Sequence, residues 1–137
     1  MRTALDTNIL SALWSKEAVA AAVAANLGAA KATGAVLVSA PVYAELLAHS
    51  TLPEAAINDF FGETGISVDF ELSSEVWLDV GHRYAKYAAR RRRTLAQGPK
   101  RLLADFIIGA HALFQADCLM TLDPQRYRRD FPELKLI

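Results

Sequence analysis

The sequence of 137 residues holds one cysteine, Cys118, so no intrachain disulfide can staple it and a reducing compartment is expected. Its apolar setting between Asp117 and Leu119 suits a small buried side chain rather than a nucleophile. No apolar run approaches the roughly 20 residues of a membrane-spanning helix. Asp6 also interrupts the N-terminal apolar stretch that a secretory signal would need, so a cytoplasmic protein without a membrane partner is expected. An excess of charge is missing too: 15 basic residues balance 15 acidic ones, and total charge does not announce a nucleic-acid binder. Internal repeats, low-complexity tracts and linker-like segments are absent. These absences leave one domain spanning residues 1–137, long enough to build a core without metal or disulfide staples. With 53% hydrophobic residues and a mean hydropathy of +0.15 it is expected to fold rather than stay disordered.

One local absence points the other way. Between Asp79 and Asp105 there is no acidic residue, while Arg83, Lys86, Arg90, Arg91, Arg92, Arg93, Lys100 and Arg101 all fall there. Four adjacent arginines cannot all face one way on a helix, so some must reach solvent. As a helix end they would suit the macrodipole; beside an acidic site they would grip the phosphates of a nucleic acid. Because the stretch leads directly into Asp105, Arg90, Arg91, Arg92, Arg93, Lys100 and Arg101 are the candidate nucleic-acid contacts.

Short apolar runs at residues 2–5, 35–38, 65–68 and 118–121 predict strands, with a possible fifth at 134–137. Helical spacing predicts helices over 8–14, 17–31, 42–49 behind a Ser39 cap, and 54–61 with Ala56, Phe60 and Phe61 able to face the core. A long helix starts at Ser73 and runs through Val76, Val80, Tyr84 and Tyr87 into the arginines. Another begins near Arg101, with Leu102, Leu103, Phe106, Ile107, Ala110 and Leu113 as a broad apolar face, and a short helical turn covers 124–129. Strands alternating with helices imply an α/β fold with a parallel sheet.

Asp6 closes the first strand, in the stretch Thr3-Ala4-Leu5-Asp6-Thr7-Asn8. Alone, it is better explained as a helix cap. Glu45 lies in the helix after the second strand, however, and Asp123 just past the fourth; all strand carboxyl ends of a parallel sheet share the edge where active sites collect. Asp105, in a first helical turn, joins them if its helix also begins there. Two unit charges about 4 Å apart repel by about 4 kcal/mol at an effective dielectric near 20, so such a cluster calls for protonation or a cation. An all-oxygen set without cysteine or clustered histidine suits Mg²⁺ or Mn²⁺ better than Zn²⁺. Such a metal can activate water and bear the charge developing on a phosphate. Asn8 and Thr121 are placed to hydrogen-bond and orient the carboxylates, beside ordinary capping and turn roles. Asp105, Gly109 and Ala112 share a helix face of little bulk, expected to approach the sheet closely, and His111 is expected to pack or face solvent.

The chain resembles the PIN domains, in particular the VapC-like toxin ribonucleases of bacterial type II toxin–antitoxin pairs. The resemblance rests on Asp6-Thr7-Asn8, on Glu45 behind Ser39, on Asp105-Phe106-Ile107-Ile108-Gly109-Ala110, and on Thr121-Leu122-Asp123 with Phe131 beyond. It covers essentially the whole chain; no single motif is specific, and the set is strong. It implies a three-layer α/β/α sandwich around a short, mainly parallel sheet of four to five strands. It also implies an Mg²⁺-dependent (or Mn²⁺-dependent) endoribonuclease whose catalytic and metal-holding acids are Asp6, Glu45, Asp105 and Asp123. A VapB-like cognate antitoxin and a homodimer are the partners it implies, with the antitoxin in a groove near the first helices and the helix after Glu45. Two other readings stay open. An aspartate-nucleophile phosphatase would also place an acid after the first strand, but would want a second acid where Asn8 stands. A catalytically inert RNA-binding module could keep the fold, though a pure binder gains nothing from mutually repelling acids.

Overall fold

Strand β1 (Thr3–Leu5) lies in the interior of a four-stranded parallel sheet, between β2 (Val36–Ser39) and β4 (Cys118–Met120), in a computed structural model describing residues 1–137. Strand β3 (Ser67–Asp69) adds to the far side of β2, so the order is β3-β2-β1-β4. Thr3 pairs in register with Val36 on one side and Cys118 on the other. Every residue of β1, β2 and β4 is buried, and none alternates with solvent, as expected of strands covered on both faces.

Helices α1 (Thr7–Trp14) and α2 (Ala20–Thr33) carry the chain from β1 to β2; α3 (Ala40–His49) and α4 (Glu54–Thr64) carry it on to β3. Helices α5 (Ser74–Arg93) and α6 (Leu103–Gln115) then return it across the sheet to β4. Those crossovers run in opposite directions along the sheet, so right-handed connections put their helices on opposite faces. The α/β/α layering and parallel sheet expected from the sequence are therefore present. The reversal at β1 also opens a crevice between the carboxyl ends of β1 and β4, the switch point where open α/β sheets bind ligands.

Several expectations shift. The fifth strand is a single parallel bridge between Leu119 and Leu136. Strand β3 starts at Ser67 because Gly65, at φ +71°, is the left-handed cap ending α4, three residues past the expected helix end. Helix α2 starts at Ala20, since Lys16 takes a positive φ and no side chain caps the residues between. In α4 the fully buried residue is Ile57, with Phe61 beside it and Phe60 only half-buried. The broad apolar face of α6 is the larger correction: Leu102 and Leu103 are 61% and 47% exposed, while 108–112 are buried without a polar side. The first turn projects past the sheet edge, and the middle is enclosed by α3, α5 and the sheet.

That enclosure explains His111, which is 1% exposed rather than solvent-facing. Its Nε2 lies 2.9 Å from Oδ2 of Asp69, tying α6 to edge strand β3. Burial, outweighing the Asp69 carboxylate, lowers its pKa from the ordinary 6.5. The unfolded chain then takes the proton first as pH falls. The stability due to the neutral imidazole is fully present above about pH 6.5 and is lost as the pH drops toward the folded value. The urea midpoint is expected to fall between about pH 7.5 and about pH 5.5 more in the wild type than in His111→Gln. Raised carboxylates titrate in both proteins and cancel in that difference, so equal falls would exclude His111 as the responsible group.

Candidate active site

The carboxylate of Asp6 is held from three sides at the end of β1. As the N-cap of α1 it accepts from the Thr7 backbone N–H at 2.8 Å, which keeps the capping role alongside any other. Thr121, just past β4, donates its hydroxyl to Oδ2 at 2.8 Å, and Nδ2 of Asn8 approaches the same oxygen at 3.4 Å. Asn8 also accepts from the Leu122 N–H at 3.0 Å, and the Thr121 hydroxyl accepts from the Asp123 N–H at 3.0 Å. Asn8 and Thr121 thus join the ends of β1 and β4 and fix both Asp6 and the turn bearing Asp123.

Burial leaves Asp6 with a raised pKa, against the hydrogen bond from Thr121, the nearby Tyr127 hydroxyl, the Thr7 N–H and the charge of Arg126. The buried Tyr127 hydroxyl favours the charged form of Asp6 from nearby without closing a hydrogen bond of ordinary geometry. The same contact pushes Tyr127 far above the usual phenol range, after burial as the main cause. Glu45, half-buried on α3, is raised first by burial and then by the charges of Asp6 and Asp105. Asp105 sits in the first turn of α6, where its Oδ2 accepts from the Leu102 N–H at 3.0 Å and secures the helix start. The acids picked out in the sequence are therefore electrostatic neighbours on one edge of the sheet.

They do not converge on one point. No three His, Cys, Asp or Glu side chains stand close enough to share a metal ion. Asp105 and Asp123 instead flank a guanidinium: Nη1 of Arg126 is 3.6 Å from Oδ1 of Asp105, and its Nε is 3.4 Å from Oδ2 of Asp123. Burial opposes the charge of Arg126, but Asp105, Asp6, Tyr127 and Asp123 together raise its pKa. The donor chemistry nonetheless fits a hard divalent cation. Asp6, Glu45, Asp105 and Asp123 supply oxygens alone, and the hydroxyls of Thr7, Ser39 and Tyr127 are buried without hydrogen-bond partners. Buried polar atoms without partners are costly, and a hydrated cation would supply them.

The basic stretch divides in two. Arg91, Arg93 and Arg101, with Arg126 and Arg129, line a cleft of about 350 Å³ that Arg126 joins to the acids. Arg90 also lines it but pairs with Asp130 at 2.6 Å, and Nη1 of Arg91 donates to the Gly98 carbonyl at 2.7 Å. Arg92 and Lys100 lie outside that lining. One residue beside the acids escaped the sequence reading, Arg126. Arg126 stands three residues after Asp123, spacing that a helical turn brings together, and that was its one available signal. Gly109 serves Phe131 rather than the sheet, since a Cβ there would fall 2.5 Å from the Phe131 ring.

A parallel α/β/α fold with acids at its switch point defines a class, and comparison with known proteins narrows it. The PIN domain family model matches residues 3–132, so the chain belongs to the PIN domain family. It is similar to a chain in the crystal structure of VapBC2 from Rickettsia felis bound to a DNA fragment from their promoter. The TM-score is 0.72 at 21% identity, covering 100% of this chain and 98% of that one. It is likewise similar to a chain of VapBC-1 from nontypeable Haemophilus influenzae, with a TM-score of 0.62 at 20% identity over 100% and 97% of the two chains. No curated protein matches it in sequence.

Proposed function

We propose that this protein is a divalent-cation-dependent endoribonuclease, the toxin of a toxin–antitoxin pair, acting in the cytoplasm. The observation that carries the reading is the continuity of the acidic crevice with the arginine-lined cleft: one suits a cation, the other a polyanion. Membership of the PIN family supports it, as does the likeness to VapBC structures. Asp6, Glu45, Asp105 and Asp123 would hold Mg²⁺ or Mn²⁺. The cation, when bound, would supply Lewis-acid stabilisation of the charged phosphate and lower the pKa of the attacking water.

The remaining work falls to the chain. Thr7, Asn8 and Thr121 hold Asp6 in one orientation, so no reorganisation is needed when substrate arrives. Arg91, Arg93 and Arg101 grip flanking phosphates and set the RNA in line with the acids. An antitoxin of the VapB type would dock along α3, where an apolar groove of about 280 Å³ runs past Pro41, Phe70, Leu72 and Trp77. Phe70 and Trp77 are 66% and 49% exposed there. A homodimer completes the proposed assembly.

The deciding experiment incubates the pure protein with end-labelled RNA in Mg²⁺ or in EDTA. Cleavage in Mg²⁺ alone supports the nuclease; RNA bound but never cut would leave the inert binding module. The cleft has its own test. Alanine at Arg91, Arg93 and Arg101 together is expected to weaken RNA binding and to flatten the slope of log K against log salt by about 2, at roughly 0.7 per lost single-strand phosphate contact. Alanine at Arg92 and Lys100 is expected to change the slope less, and equal slopes in both variants would remove the cleft from the interface.

A further inference from the structure

Of all the ion pairs in the molecule, only those of Arg126 involve the four acids of the crevice. It stands between two of them, from a helix α7 (Gln125–Arg128) of a single turn that begins two residues after Asp123. Both contacts, at 3.6 and 3.4 Å, are longer than the roughly 2.7–2.9 Å of a strong charge-assisted hydrogen bond. The side chain is 37% exposed and also lines the arginine cleft. It is a charge held by attraction to several carboxylates rather than locked by geometry.

The same oxygens of Asp105 and Asp123 cannot serve Arg126 and a metal ion fully at once. A guanidinium is wider than a bare cation, and with Arg126 between Asp105 and Asp123 no three acids stand close enough to share an ion. We propose that Arg126 is the built-in counter-ion of this site: in the cation-free protein it takes the place between Asp105 and Asp123 that a divalent cation claims, so cation binding and Arg126 release are one coupled equilibrium. This rests on reading the acids as a cation site. Arg126 is here a positioning residue. It keeps mutually repelling carboxylates together while the site is unloaded. On release it swings toward the cleft it already lines, adding a free cation to the surface that grips phosphate. Loading the metal therefore readies the site for RNA, and by linkage RNA favours loading.

The test is calorimetric titration of the whole protein with Mn²⁺ alone, without RNA. Arg126→Gln is expected to bind Mn²⁺ roughly fivefold tighter than wild type, the change expected when a competitor of ion-pair strength is removed. Its cation-free form is expected to melt at a lower temperature in EDTA. Arg126→Lys, which keeps the charge but loses the fork, is expected to fall between them, and it serves if Arg126→Gln does not fold. Arg128→Gln, which removes the same charge from an exposed position on α7, is expected to behave as wild type. Equal or weaker Mn²⁺ binding by both Arg126 variants, with wild type still binding, overturns the counter-ion role and leaves the metal reading intact. A tightening of equal size in Arg128→Gln would reduce the effect to general charge and overturn it too. Silence from wild type and every variant overturns the metal reading and this one with it.

Discussion

Asp6→Asn and Asp105→Asn are each expected to lower Mg²⁺-dependent RNA cleavage by more than about 100-fold, the upper range for losing a mere outer partner of a metal ligand, while RNA binding persists. Removing an oxygen donor from a cation site withdraws the charge that holds the ion, whereas Arg91, Arg93 and Arg101 still line the cleft. Stability should move the other way for Asp6. Its raised pKa means that folding favours the neutral carboxyl over the ion, with burial as the main cause. A neutral amide of the same shape is therefore expected to melt a few degrees higher in EDTA. Mg²⁺ should then stabilise the wild type more than Asp6→Asn, because a ligand of the native state raises its melting point. Activity lost together with stability gained cannot come from unfolding and is the signature of a strained functional site. Equal Mg²⁺ shifts in wild type and Asp6→Asn would remove the cation from Asp6. Full activity in Asp105→Asn would move the chemistry elsewhere.

What could be read in advance was local or topological. Runs such as Val36-Leu37-Val38 declare buried parallel strands by apolar density alone, and alternation with helices then settles the layers. Placing Asp6, Glu45 and Asp123 on one edge needs only strand direction, so it followed from connectivity without a coordinate. Contacts between residues distant in sequence were another matter. The Arg90–Asp130 pair and the His111–Asp69 pair each join elements that no periodicity connects. The arginine run could be seen as basic, but which of its members are engaged depends on a neighbour supplied from beyond β4. Helix α6 shows the same limit in apolar form. Leu102 and Leu103 extend its pattern but lie past the packed region, while Gly109, His111 and Ala112 are enclosed because three elements surround them. Pattern reports what a helix offers, and its neighbours decide what is buried.

Gly109→Ala adds a methyl group where the core has no room for one. An added Cβ would lie 2.5, 2.6 and 2.8 Å from Cε2, Cζ and Cδ2 of Phe131. That ring is 2% exposed, packed against Phe106 and Tyr127, and roofed by the Arg83 guanidinium 4.5 Å from its centroid. Arg83 is itself held by Asp79, Glu133 and the Asp130 carbonyl, so the ring has no easy exit. Overpacking of this kind costs about 1–3 kcal/mol, and a fall of roughly 4–10 °C in melting temperature is expected for a chain of this size. Gly62→Ala and Gly81→Ala supply the contrast, since nothing lies within 4 Å of a Cβ at either and both sit in helices. There the methyl group limits the unfolded chain and is expected to stabilise by about 0.4–1 kcal/mol. The strain also reaches the site. Asp105 lies one helical turn before Gly109, and Tyr127 and Arg126 precede Phe131 on the segment that must give way. Mn²⁺ affinity should therefore change in Gly109→Ala and hold in the other two. Phe131→Leu in the same chain should recover part of the lost stability, because it removes the ring atoms that the methyl group meets. A Gly109→Ala protein as stable as wild type would mean that α6 and the Phe131 segment separate freely, and that the acids they carry are not held by this packing.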